Sequence, residues 1–363
     1  MKITIFGLTV SSSWGNGHAT PYRALLRALH RTGHRVVFYE RDVPYYAERR
    51  DFASADFCEL VLYSDWPSIR SRALADGRDS DVILHASFCP SGARIVDEMA
   101  ETDGLHVFYD LDTPVTLDKL AHGDCDYLRA DQIPQFDTYL SWCGGEILTD
   151  LEQHWGARRA LPLYGCVDPD THARVEVPEP YRSALSYMGT YALDRRQKFE
   201  TLFLDVACKA PEKTFVLAGS MYPSETSLPA NLRRFEHVSP HDHPALYSGS
   251  RATLNLTRDA MARGGYCPSG RLFEAAACGT PIISDWFAGL DHFFAPEKEI
   301  FIARDTDDVL RVLDLPDHEL QRVATRARER TLNKHTGDVR ARELVEYLEQ
   351  ATKGRFRSAA EVA

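Results

Sequence analysis

No run in the chain approaches the ~18 consecutive apolar residues of a membrane span. There is no CxxC pair either. The eight cysteines, Cys58, Cys89, Cys125, Cys143, Cys166, Cys208, Cys267 and Cys278, are scattered. That pattern argues against a zinc module and a disulfide framework, and fits reduced, mostly buried thiols. Positive charge is in deficit: 42 Lys+Arg face 53 Asp+Glu, a net charge of −11. A duplex-binding protein needs clustered basic residues to neutralise phosphates, so nucleic acid is a poor partner for this composition. Internal repeats are absent, which excludes a solenoid. With 44% hydrophobic and 26% charged residues the chain is an ordinary globular one. At ~150 residues per domain, its 363 residues leave room for two.

The N-terminal KITIFGL alternates like a strand and runs directly into glycine-rich punctuation, so it reads as strand one of a cytoplasmic protein and not as a signal peptide. Apolar runs and helical patterns then alternate. Expected strands include 34–39, 81–85, 105–109 and 138–141, and after the turn signals at 167–180 a second series at 184–188, 214–218, 252–256, 281–284 and 299–302. Near-continuous apolar strands separated by helices predict parallel sheets covered on both faces. The expectation is two doubly wound α/β domains: residues 1–170, residues 171–335, and a C-terminal helix with a frayed tail, 336–363, packing back on the first. Ligands of such sheets bind outside the carboxyl ends of the strands.

The residues after those strand ends carry the candidate chemistry. Ser269 and Gly270 open a helix whose free N–H groups attract a phosphate. Glu274, one turn in, offers a carboxylate to the vicinal hydroxyls of a ribose; the alternative is a surface Glu favoured by the helix dipole. Arg258, with Asn255 and Thr257, either pairs with a diphosphate or makes a salt bridge to Asp259 or Asp285. After strand one, Gly15 and Gly17 flank Asn16 and let backbone approach a ligand. His18 follows, with Asp112 or Asp110 as a partner to orient it for base work. The alternatives are a polar residue at a helix start and turn-forming Asx-Pro. The glycine spacing is not a dinucleotide fingerprint, so NAD is unsupported.

The stretch Pro268–Asp285, PSGRLFEAAACGTPIISD, resembles the C-terminal signature of GT-B glycosyltransferases, in the CgeB-like branch and more distantly the GT4 family. Their pattern Arg-x-x-Glu-Ala-x-x-Cys-Gly-x-Pro falls on Arg271, Glu274 and Pro281. Gly33-His34-Arg35-Val36 fits the start of their second strand, Val167-Asp168 their hinge, and Leu254–Arg258 a donor-side strand end. The resemblance implies the GT-B fold, with a nucleotide-diphosphate sugar such as a UDP-sugar on the C-terminal domain and the acceptor (small molecule, glycan or peptide) on the N-terminal one. It implies donor binding by Gly189, Thr190, Arg195, Arg196, Asn255, Thr257, Arg258, Ser269, Gly270, Arg271 and Glu274. Gly15, Asn16, Gly17, Asp110 and Asp285 would line the sugar and acceptor, His18 and Asp112 would form the catalytic pair, and no metal or other cofactor would take part. One position departs from the GT4 pattern: the second Glu, eight residues before the ribose-binding one, is Tyr266 here. Two rival readings share the fold, a sugar-nucleotide 2-epimerase and a non-catalytic sugar-nucleotide-binding protein.

Overall fold

The computed structural model describes residues 1–52, 54–223 and 228–362, with side chains up to residue 354. The chain divides into two units. One comprises Met1–Ser13, Tyr22–Gly165 and Gly337–Ala363; the other comprises Trp14–Pro21 and Cys166–Thr336.

The first unit is built on a seven-stranded sheet in the order β3-β2-β1-β4-β5-β6-β7. The strands are β1 Lys2–Gly7, β2 Arg35–Arg41, β3 Glu59–Tyr63, β4 Val82–Ala86, β5 Leu105–Asp110, β6 Thr138–Ser141 and β7 Ala160–Pro162. All neighbours are parallel. Every residue of β4, β5 and β6 is buried, as a sheet covered on both faces demands. One core gathers Phe6, Val37, Tyr39, Trp66 and Ile83; another gathers Phe108, Phe136, Tyr139 and Leu151. The helix Ala19–Arg31 buries Leu25, Leu26 and Leu29 and stops at Gly33, whose φ of +83° sits in the left-handed region. The C-terminal helix Gly337–Val362 belongs to this unit, and Ala363 lies outside the described residues. That helix continues past the point where the sequence suggests fraying.

The second unit holds a six-stranded parallel sheet in the order β10-β9-β8-β11-β12-β13. Its strands are β8 Ser183–Met188, β9 Phe215–Ala218, β10 Leu232–Phe235, β11 Ser250–Asn255, β12 Ile282–Ser284 and β13 Phe301–Ile302. Phe199, Phe203, Phe215, Leu254 and Ile283 anchor its main core. Val167 and Thr336, near the two ends of its main segment, form a parallel bridge.

Three strands escape the sequence reading: β3, β7 and β10. Each is the edge of its sheet. An edge strand has a neighbour on one side only and needs no continuous apolar run. Leu232-Arg-Arg-Phe235 shows this, its two central residues being exposed.

In both sheets the strand order reverses beside the first strand of the series, between β1 and β4 and between β8 and β11. The carboxyl ends at such a reversal form a crevice, and that is where the candidate residues of the second unit collect.

Candidate nucleotide-sugar site

Arg271 occupies the reversal in the second sheet. It sits in the first turn of the helix Gly270–Ala277, which follows Ser269. Its Nε donates to Met188 O at the end of β8 (2.5 Å) and its Nη1 to Asn255 Oδ1 at the end of β11 (2.8 Å). The guanidinium also lies over the Tyr187 ring, 5.2 Å from its centre. Asn255 is fully buried and passes the link on, its Nδ2 donating to Ser284 Oγ of β12 (2.9 Å). Three adjacent strand ends are thereby tied to one helix N-terminus, whose first N–H groups have no carbonyl four residues back to bond.

Gly189 follows β8 directly. Its N–H bonds Ala218 O (2.8 Å) and its carbonyl accepts from Tyr222 (2.9 Å). Gly219, with φ of +148°, packs so closely that a Cβ there would lie 2.1 Å from Gly189 O. Thr190 O accepts from the Arg195 guanidinium, so that side chain folds back on the loop. Arg196 points elsewhere: it is exposed and pairs with Glu200 at 2.7 Å. Arg258 pairs with Asp194 at 3.2 Å, a partner not foreseen from the sequence.

Asp285, just past β12, is 6% exposed. Its Oδ1 accepts from both the N–H and the hydroxyl of Thr257 (2.9 Å each), and its Oδ2 lies 3.1 Å from Lys198 Nζ. Burial raises the Asp285 pKa, and Lys198 and Thr257 oppose that rise. Lys198 also reaches Thr257 O (2.9 Å) and Asp259 (3.0 Å); burial alone would lower its pKa, but the two carboxylates raise it. Lys198 is the residue that sequence reasoning missed. Its position two residues after the Arg195–Arg196 pair was the available signal, but which cation of a basic cluster faces inward depends on the helix phase.

Glu274 is a buried carboxylate, 5% exposed. Tyr247 donates to its Oε2 at 3.2 Å, and His243 Nδ1 stands 3.6 Å from the same oxygen. Burial pushes its pKa up, but the facing His243 ring, the charge of His172 and the Tyr247 hydroxyl outweigh it and hold it at about 2. Tyr266, where the GT4 pattern has its second Glu, adopts φ of +46° and donates its N–H to Ala288 O (2.6 Å). Its ring packs on Gly289, where a Cβ would come within 2.5 Å of it.

In the loop after β1, Gly15 has φ of +59° and Asn16 Oδ1 accepts the His18 N–H (3.1 Å), which opens the helix Ala19–Arg31. Gly17 has open space at its α-carbon, and His18 is half-buried. In the first unit, Asp110 is fully buried and accepts from Tyr139 (2.6 Å), Thr116 (2.8 Å) and the Asp112 N–H (3.2 Å). Burial raises its pKa to about 6 despite those donors. Asp112 is the residue before the helix Thr113–His122.

Residues 195–346 match the family model described as glycosyl transferase-like. Among solved structures, the chain is similar to the sucrose-phosphate synthase of Thermosynechococcus elongatus: 14% identity, 97% of this chain and 99% of that one, TM-score 0.69. It is similar to Anabaena HepE solved with UDP and glucose: 11% identity, 96% and 100%, TM-score 0.67. It is also similar to an alpha-glucosyltransferase solved with UDP-glucose and DNA containing an abasic site: 14% identity, 96% and 99%, TM-score 0.74. No curated protein matches the sequence. The fold is GT-B. The glycosyl transferase-like segment lies mainly on the second unit, its residues 337–346 falling on the C-terminal helix of the first. Neither comparison singles out the CgeB-like branch.

Proposed function

We propose that the protein transfers a sugar from a nucleotide-diphosphate sugar, a UDP-sugar being the first to test, to an acceptor hydroxyl. The observation that carries the reading is the convergence of Arg271, Asn255, Gly189 and Lys198 on the carboxyl ends of β8, β11 and β12, beside the helix opened by Ser269 and Gly270. A diphosphate there meets peptide N–H groups and fixed cations, and its departure is stabilised by them without a divalent ion at the phosphates. Turnover is then indifferent to added or withheld Mg²⁺ or Mn²⁺. Glu274 receives the ribose diol on Oε1, since Tyr247 and His243 address Oε2. Tyr266 takes the place of the GT4 donor-sugar carboxylate, so the sugar is gripped differently.

His18 is the base that takes the acceptor proton, its neighbouring glycines leaving room for a substrate. The solved alpha-glucosyltransferase was bound to DNA; the net charge of −11 here speaks for a non-nucleic acceptor.

Calorimetry with UDP tests the donor site. Glu274→Ala should weaken binding by ~1.5–3 kcal/mol, the range for hydrogen bonds to a charged group. Unchanged affinity, with wild-type melting, overturns the ribose assignment. His18→Ala should lower kcat ~100-fold with UDP affinity intact.

A further inference from the structure

Three buried residues of the second unit bring their ligating atoms together: His172, His243 and Glu274, all within 4.8 Å of one another. They are far apart in sequence and come from three elements. His172 closes the turn begun by Asp168, its N–H bonding Asp168 O at 2.9 Å. His243 opens the helix His243–Gly249, and Glu274 lies on the helix Gly270–Ala277.

We infer that His172, His243 and Glu274 form a binding site for one transition-metal ion of the zinc class. His243 Nε2 faces Val238 O at 3.2 Å, so the ring's one neutral-state proton belongs there. That leaves Nδ1 with a bare lone pair, buried and with no hydrogen-bond partner. It faces Glu274 Oε2 across 3.6 Å. With the ring neutral, this lone pair and the carboxylate oxygen face each other in a buried site and repel, and positive charge at that point, a ring proton or a metal ion, relieves the repulsion. The gap is too long for a proton to bridge as a good hydrogen bond. It is the spacing of two atoms that both ligate one ion at about 2.0–2.1 Å with an angle near ~120°, close to the geometry of zinc sites.

The surrounding contacts are those of a ligand set. A metal-bound imidazole commonly donates its other N–H to a backbone carbonyl, as His243 does to Val238, and its carboxylate neighbour is itself hydrogen-bonded, as Glu274 is by Tyr247. His172 Nδ1 lies 3.1 Å from the Thr171 hydroxyl, which turns its Nε2 to the ligating role. Two imidazoles and one carboxylate suit zinc and its neighbours and not Mg²⁺ or Ca²⁺, which prefer all-oxygen shells. The ion would lock the Asp168 turn, the helix His243–Gly249 and the helix Gly270–Ala277 together, and fix Glu274 through Oε2 while Oε1 remains for the donor. In that last respect the inference touches the ribose assignment; the ion site itself does not depend on it.

The test is cobalt spectroscopy on the full-length protein after removal of bound metal with a chelator. Titration with Co²⁺ should raise visible absorption bands of a low-coordinate site, saturating at one equivalent, and Zn²⁺ should bleach them. Elemental analysis after Zn²⁺ loading and dialysis should give one ion per chain. His243→Ala and His172→Ala should each abolish the bands, with far-ultraviolet circular dichroism showing that the variants are folded. Absence of a stoichiometric Co²⁺ band in the wild-type protein overturns the inference, and so does an undiminished band in folded His243→Ala and His172→Ala. UDP calorimetry on the metal-free protein separates this from the donor reading. Bound UDP with no metal binding sinks the ion site alone, and a metal site with no UDP binding sinks the donor reading alone.

Discussion

Arg271 holds Asn255: Nη1 donates to the amide oxygen at 2.8 Å, and the same guanidinium donates through Nε to Met188 O. One side chain thus closes the crevice floor between β8 and β11. Lysine carries a single donor point and cannot span both acceptors. Arg271→Lys should keep the fold but weaken UDP binding by about 2 kcal/mol, the scale of a lost charge-assisted bond. Titration calorimetry on the folded variant checks it; wild-type affinity would show that the span is dispensable.

Lys198 compensates two carboxylates, one of them the nearly buried Asp285. Lys198→Met leaves Asp285 with Thr257 as its donor and no cation at 3.1 Å. The expected loss is about 2 kcal/mol of stability, measured by urea unfolding, since part of the Lys198 side chain is in water. Adding Asp285→Asn to Lys198→Met should restore most of that stability without restoring turnover. A double variant as unstable as the single one would show that the charge is not what Lys198 neutralises.

Glu40 organises the loop after strand one. It is fully buried at the end of β2 and accepts four bonds: from the Thr9 hydroxyl (2.6 Å), the Val10 and Ser11 N–H groups (2.8 and 3.0 Å) and the Ser11 hydroxyl (2.5 Å). Arg23 adds a bond to Val10 O (2.7 Å). Glu40→Ala strands two backbone donors in the interior and should cost ~3 kcal/mol. Hydrogen exchange should then rise first at residues 9–13, ahead of the β4 and β5 amides; uniform protection across the unit would refute this role.

Asp110 ties stability to pH. Its folded pKa of about 6 lies above the ordinary carboxylate value because burial disfavours the charged form. A raised carboxylate pKa means the folded state holds the proton more tightly than the unfolded one. The group's cost to stability is therefore full above pH ~6 and vanishes below pH ~4. Between those limits the wild type should gain, at most, about 3 kcal/mol from this residue as pH falls. Asp110→Asn, which cannot ionise, should lack that component. Urea midpoints of the two proteins at pH 7, 6 and 5 should converge or diverge accordingly, and parallel profiles would remove Asp110 from the pH dependence.

The parallel α/β architecture is legible along the chain, because buried central strands need near-continuous apolar runs, as in Val82–Ala86 and Leu105–Asp110. The sequence placed Arg271 and Glu274 on one helix, since their spacing and the Ser269-Gly270 start are local properties. Edge strands such as Leu232–Phe235 stayed hidden, having no fully buried residue and a mixed composition. Side-chain pairing, by contrast, is a property of the folded molecule. Arg258 meets Asp194 and not Asp259 or Asp285, and Lys198, not Arg196, turns toward Asp285. His172 and His243 converge on Glu274 from separate elements. Strand and helix signals arise from neighbours along the chain, within a few residues. Which side chains meet at strand ends depends on sheet order and helix phase, and these are set by long-range burial that no local pattern encodes.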